Sequence, residues 1–301
     1  MKNSRAIQID FLRIFACFMV VFLHVSAQNW RITDVESVEW QIFNVYDTAV
    51  RSCVPLFFMI SGKLFLSRQS MVPIPRLFKK NIAKLIWLYF LWAFLYAVDT
   101  VGLRSLLSGT SGEELIRHTI QAKYHLWYIP ALIGVYLLLP ILWSLVKYEN
   151  GKYLTYACVM FVVFGIFKNT ILSIPIEATL EVLIKKFSYV LGEYSGYFLL
   201  GYMLDKNQEK LNKIKTSVLL LILVIVIAMS ASITSIYSIW VGNPTDLLYD
   251  YRMIPACLEA IIIFMIFLRI RRHRNGRPTW VFRAQDRCPS RRAMAEKTSF
   301  P

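Results

Sequence analysis

The chain of 301 residues is 56% hydrophobic and 15% aromatic, carries charge at only 18% of its positions and has a positive mean hydropathy of +0.49. A soluble domain carries about 25% charged residues and interrupts its apolar runs every few positions, so a soluble fold is excluded. The formal net charge of +15 is no sign of nucleic-acid binding, because lysine and arginine collect in the cytoplasmic loops of membrane proteins.

A hydrocarbon layer about 30 Å thick takes about 20 apolar residues per helix. Long continuous apolar runs, rather than alternating ones, select helices over a barrel. The pattern predicts an all-α, polytopic transmembrane bundle of about eight spans. The first, residues 7–25, follows Lys2 and Arg5 and precedes Val25-Ser26-Ala27, much as a signal peptide does. Asp10 and Arg13 inside it, and the spans that follow at once, mark it as a retained helix. The second, 47–66, holds Pro55 and Ser61-Gly62, residues that permit a kink and close helix approach. It ends at the basic cluster Arg68, Arg76, Lys79, Lys80 and Lys84. The third, 82–101, carries Trp87, Tyr89, Trp92 and Tyr96, and with Trp127 and Tyr128 of the fourth, 125–146, these read as interfacial belts. A fifth (153–167), a sixth (187–204), an uncharged seventh (217–240) and a short eighth around Glu259 (253–268) complete the count.

Alternating these helices across the bilayer makes the N-terminus, 67–81, 147–152, 205–216 and the C-terminal tail cytoplasmic, and these segments are rich in lysine and arginine. The loops at 26–46 and 241–252 lean acidic. The asymmetry predicts a multi-pass protein of the plasma or inner membrane with both termini inside. The chain divides into a membrane domain, 1–268, and a tail, 269–301, whose 33 residues hold ten basic and two acidic side chains. That tail, arginine-rich and aperiodic, reads either as a disordered segment or as the product of a shifted reading frame. Five cysteines without CxxC spacing indicate neither a disulfide framework nor a zinc site.

Ionisable groups inside spans are expensive and are functional candidates by default. Arg13 and His24 are eleven positions apart, which on a helix is within about 20° of three turns and spans about 16 Å. The two share a face. Asp10, one turn before Arg13, stands where it can pair with it. The plain alternative is that Arg13 snorkels to headgroups and His24 sits in the interface. Histidine is nevertheless the side chain that titrates near neutrality, as acid–base work requires. The Arg76-Leu77-Phe78-Lys79-Lys80 stretch reads as a positive-inside stop signal or as a clamp for a phosphorylated cofactor. Glu193 and Glu259 are intramembrane acids without an evident partner.

Ile9-Asp10-Phe11-Leu12-Arg13-Ile14, then Met19-Val20-Val21 and His24, resembles the opening of the integral-membrane acyltransferase family 3. So does Val54-Pro55-Leu56-Phe57-Phe58-Met59-Ile60-Ser61-Gly62. His125-Leu126-Trp127-Tyr128, Tyr136-Leu137-Leu138-Leu139-Pro140 and Tyr197-Phe198-Leu199-Leu200-Gly201-Tyr202 extend the resemblance, which covers about residues 5–205. It implies a fold of typically ten helices. It also implies transfer of an acyl group, often acetyl, from cytoplasmic acyl-CoA to a hydroxyl of a sugar, a lipid-linked glycan or another envelope glycan, without a metal. By position His24 is then the catalytic histidine and Arg13 its partner, with Asp10 beside it, and CoA docks against Arg13, Arg76 and Lys79. The family more often has arginine where Lys79 stands, and lysine there gives up bidentate phosphate contact. The membrane half of vancomycin-resistance serine racemases belongs to the same broad family, so a non-catalytic transporter or scaffold for a small polar solute is the competing expectation. If the tail is a frame product, the last spans are missing and activity is lost with them.

Overall fold

The computed structural model describes residues 2–101, 112–148, 153–173, 194–272 and 278–279. In chain order the helices are α1 (Lys2–Ser26), α2 (Val38–Val50), α3 (Cys53–Leu66), α4 (Ile74–Val101), α5 (Gly112–Gln121), α6 (Tyr128–Leu137), α7 (Leu139–Lys147), α8 (Leu154–Ser173), α9 (Ser195–Lys206), α10 (Thr216–Val241) and α11 (Ile254–Phe267). Stretches of α4 (Leu77–Ile82) and α8 (Phe161–Phe167) are wound as π-helix. A two-residue antiparallel pairing, Arg271–Arg272 with Pro278–Thr279, follows α11. The rest of the predicted tail lies outside the described residues, as do Glu193 and the first part of the sixth predicted span.

Among the described residues α1, the α2–α3 stretch taken together, α4, α8 and α10 are long and apolar enough to cross a membrane, making five spans, or six if the bent α6–α7 pair is one span, and α11 is a shorter apolar helix of 14 residues. The all-α bundle is as the sequence predicts, and the difference from eight spans comes from breaks and length. The α6–α7 pair bends by 52° at Leu138, where Pro140 has no N–H for the Tyr136 carbonyl. The described part of the sixth predicted span, α9, has only 12 residues.

The second predicted helix begins nine residues earlier than the sequence suggests, at Val38, where the Ser37 side chain accepts from the Trp40 N–H. Gln41 and Asn44, which read as loop residues, share one face of α2 and bond to α10. The Asn44 side chain donates to the Ala231 carbonyl at 2.8 Å, and the Ser235 hydroxyl to Gln41 at 2.7 Å. The helix then breaks at Arg51–Ser52, because Pro55 cannot donate to the Arg51 carbonyl. The segment 102–124, expected as a loop, contains α5, which packs along α4 and has Glu113 and Glu114 in its first turn and His118 in its last, the polarity that favours a helix.

At the centre α3 lies against α9 with their backbones in contact. A Cβ on Gly62 would come within 1.8 Å of the Phe198 carbonyl oxygen, and one on Gly201 within 2.1 Å of that of Met59. A buried ion pair, Lys63–Asp205 at 2.9 Å, closes the same seam. The aromatic residues at the start of α6 depart from the belt expectation. Tyr128 packs edge-on to Phe58 at 5.2 Å, and Trp127 lies against Tyr194 and Tyr251 at 5.4 and 5.5 Å. They fill the interior because α3, α9 and the loop before α11 bring rings to meet them.

Candidate active site

Helix α1 buries Ile9, Leu12, Ala16, Met19 and Leu23, the three- and four-residue spacing of one apolar face. Arg13, Cys17 and His24 are all exposed and, at 100° per residue, lie within about 40° of one another along the flank of that face, about 100° from its centre. The shared face of Arg13 and His24 therefore exists as an open stripe with Cys17 between them.

At the Arg13 end, Arg13 pairs with Asp10 at 3.3 Å, and both side chains are roughly half exposed. Tyr136 of α6, bonded to Ser61 of α3, lies in the field of both the Arg13 and the Arg68 guanidinium groups. Arg76 and Lys79 are exposed on the first turns of α4. Arg68, which the sequence reading placed only in the basic cluster after the second span, thus shares a neighbour with Arg13. Further along the stripe Cys17 stands in the field of Tyr128.

At the other end His24 lines a cleft of about 1220 Å³ together with Asp47 and Arg51 of α2 and Asp246, Tyr249 and Tyr251 of the loop 242–253. Arg51 Nε donates to Asp47 Oδ2 at 2.8 Å, and Nη2 donates to the same oxygen. The Arg51 guanidinium lies over the Tyr249 ring at 4.4 Å and near that of Tyr251 at 5.8 Å. Tyr249 is anchored in turn, its hydroxyl donating to the Asn44 side chain and its ring 5.4 Å from Trp30. Burial raises the phenols of Tyr249 and Tyr251 above their usual range, so both stay neutral near pH 7 and can donate. Burial alone would raise Asp250, but Arg252, bonded to it at 2.6 and 2.9 Å, outweighs that and holds the carboxyl below its ordinary value.

Of the residues singled out from the sequence, Asp10 and Arg13 meet at one end of α1, and His24 stands at the other inside a polar cleft. The cleft's remaining walls were missed. Asp47 and Arg51 carried a readable signal, an acid and a base four residues apart within an apolar stretch. Placing the helix start at Asp47 made that pair look terminal. Tyr249 and Tyr251 gave no signal, because only the tertiary fold brings residues some 225 positions away to His24.

This polar stripe and cleft on an apolar bundle can be compared with known proteins. The family described as an acyltransferase domain matches residues 7–285. Over 290 residues the chain is 30% identical to an amino-acid racemase of Enterococcus faecalis, an alignment covering 88% of this chain and 38% of that protein. The chain thus spans well under half the length of that curated relative. No solved structure matches. The match over nearly the whole chain, joined to the helical membrane architecture, makes this protein a member of acyltransferase family 3.

Proposed function

We propose that this acyltransferase takes an acyl group, acetyl in the first instance, from cytoplasmic acyl-CoA and places it on a hydroxyl of a sugar or lipid-linked glycan at the opposite face of the cell membrane. The observation that carries this is the open stripe of α1, which runs from the guanidinium of Arg13 past Cys17 to His24 and its cleft. The rise between Arg13 and His24, about 16 Å, is comparable to a pantetheine arm. Arg13 and Arg68, with Arg76 and Lys79 on α4, offer the phosphates of CoA their cations. The cleft offers a polyhydroxylated acceptor ring faces and hydrogen-bonding groups, the mixture that orients small molecules in apolar proteins.

In this scheme His24 acts as general base. The acceptor oxygen attacks the thioester carbonyl as its proton passes to the imidazole. Collapse of the tetrahedral adduct expels the CoA thiolate, which takes that proton and leaves as the thiol. An ester bond forms, a thioester bond breaks, and no proton is gained or lost.

Two broken elements, α2–α3 and α6–α7, favour a second reading, passage of a small polar solute, since transporters build their sites at discontinuous helices. One experiment separates the two. Membranes expressing the chain are given acetyl-CoA radiolabelled in the acetyl group. Wild type should place label covalently in envelope glycan or lipid-linked sugar, and His24→Ala should lower the rate at least about 100-fold, the low end for loss of a general base. Label that persists with His24→Ala would remove His24 from the chemistry. Solute uptake without covalent label would establish the transport reading instead.

A further inference from the structure

Asp47 has no part in the steps above, yet its placement is unusual. Its side chain is 1% exposed and lies within the long apolar stretch of α2–α3. Oδ2 receives both Arg51 donors, whereas Oδ1 is buried without a hydrogen-bond partner among the described residues. A buried carboxylate oxygen left unpaired is costly and calls for an explanation. The charged and titratable groups in its field are Arg51, Asp246 and His24, with Tyr249, Tyr251 and Cys53 beside them. Arg51 is already engaged at Oδ2, and Asp246 is a like charge. The Tyr249 hydroxyl is engaged on Asn44, and of the donors left in the cleft, the Tyr251 hydroxyl and His24 on the neighbouring helix α1, only His24 is also a base.

We propose that Asp47 is the positioning residue for His24: its free Oδ1 accepts the N–H of one imidazole nitrogen, leaving the other to face the acceptor hydroxyl. The contact fixes the tautomer and steadies the imidazolium formed when the hydroxyl gives up its proton, as a buried carboxylate does for the histidine of other acyl-transfer sites. Arg51 keeps the carboxylate fixed, and Tyr249 and Tyr251 keep Arg51 fixed. Asp47 itself neither gains nor loses a proton during the cycle. Hydrogen bonds of this kind are often open before substrate arrives and tighten in the complex. The catalytic meaning of the contact rests on the function proposed above, whereas the contact itself does not.

The test uses the full chain in nanodiscs with acetyl-CoA bound and its histidines labelled with ¹⁵N, the His24 signals being assigned by their loss in His24→Gln. Wild type should show His24 locked in one tautomer, and Asp47→Asn should release it to a mixture. Asp47→Asn should also lower kcat by about 100-fold or more while leaving KM for acetyl-CoA unchanged, and Asp47→Glu should restore part of kcat. Because Asp47→Asn strands a partly buried arginine, the double variant Asp47→Asn, Arg51→Gln removes both charges together and should release the same tautomer. His24 signals that are identical in wild type and in either folded variant would overturn the proposal whatever the activity does. A locked tautomer in a protein that transfers no label would uphold the contact and overturn the reaction.

Discussion

A carboxyl group inside the bundle needs a counter-charge or a hydrogen-bonding neighbour, and the two acids near the break between α2 and α3, Asp47 on α2 and Glu259 on α11, are placed differently. Asp47 has Arg51. Glu259 is fully buried near Ser52, with Arg51 in its field, but neither of its oxygens nor the Ser52 hydroxyl has a hydrogen-bond partner among the described residues. Glu259→Gln retains shape and hydrogen-bonding capacity, so the thermal midpoint in detergent should be unchanged or higher. Glu259→Ala should lose about 2 kcal/mol or more, as large-to-small interior substitutions do. A glutamine variant as unstable as the alanine one would show that the negative charge itself is required. From sequence alone Glu259 was an acid without an evident partner, since the groups nearest it, Ser52 and Arg51, lie more than 200 residues away at a break that Pro55 only hints at.

Among the elements, α1 was the most legible. Its buried spacing and its polar residues are both local, and helix geometry alone puts Arg13 and His24 on one face. The start of α2 was illegible for a complementary reason: Gln41 and Asn44 look solvated, but their partners are on α10, far along the chain. Trp127 and Tyr128 misled in the same way, as rings read for a membrane interface that the fold draws into the core. The α3–α9 seam shows how much rests on single atoms. Gly62→Ala sets a methyl group 1.8 Å from the backbone oxygen of Phe198, which no side-chain rotation relieves. The helices must separate, at a cost of about 1–3 kcal/mol or more. Gly134→Ala in α6, where an added Cβ meets nothing within 4 Å, is the control and should be neutral or slightly stabilising. Thermal unfolding of both variants in one detergent checks the pair, and equal midpoints would contradict the close approach of α3 and α9.

For the whole molecule, the apolar bundle was visible in the composition and the family in its motifs. The site was visible only along α1. The rest of the cleft comes from α2 and from the loop before α11, segments that meet only after folding. The resulting picture is of two ends joined by one open stripe: cations around Arg13 at one, the His24 cleft at the other, and Cys17 between them. Cys17 is exposed, whereas Cys53, Cys158 and Cys257 are buried, so a thiol reagent can address the stripe once Cys288 is changed to serine. The direct measurement is the rate of acetyl transfer after alkylating Cys17 with a maleimide, together with the rate of alkylation in the presence of CoA. The account predicts that alkylation stops transfer, that CoA slows alkylation, and that Cys17→Ala remains active and indifferent to the reagent. Full transfer by the alkylated protein would contradict a route for the acyl donor along α1.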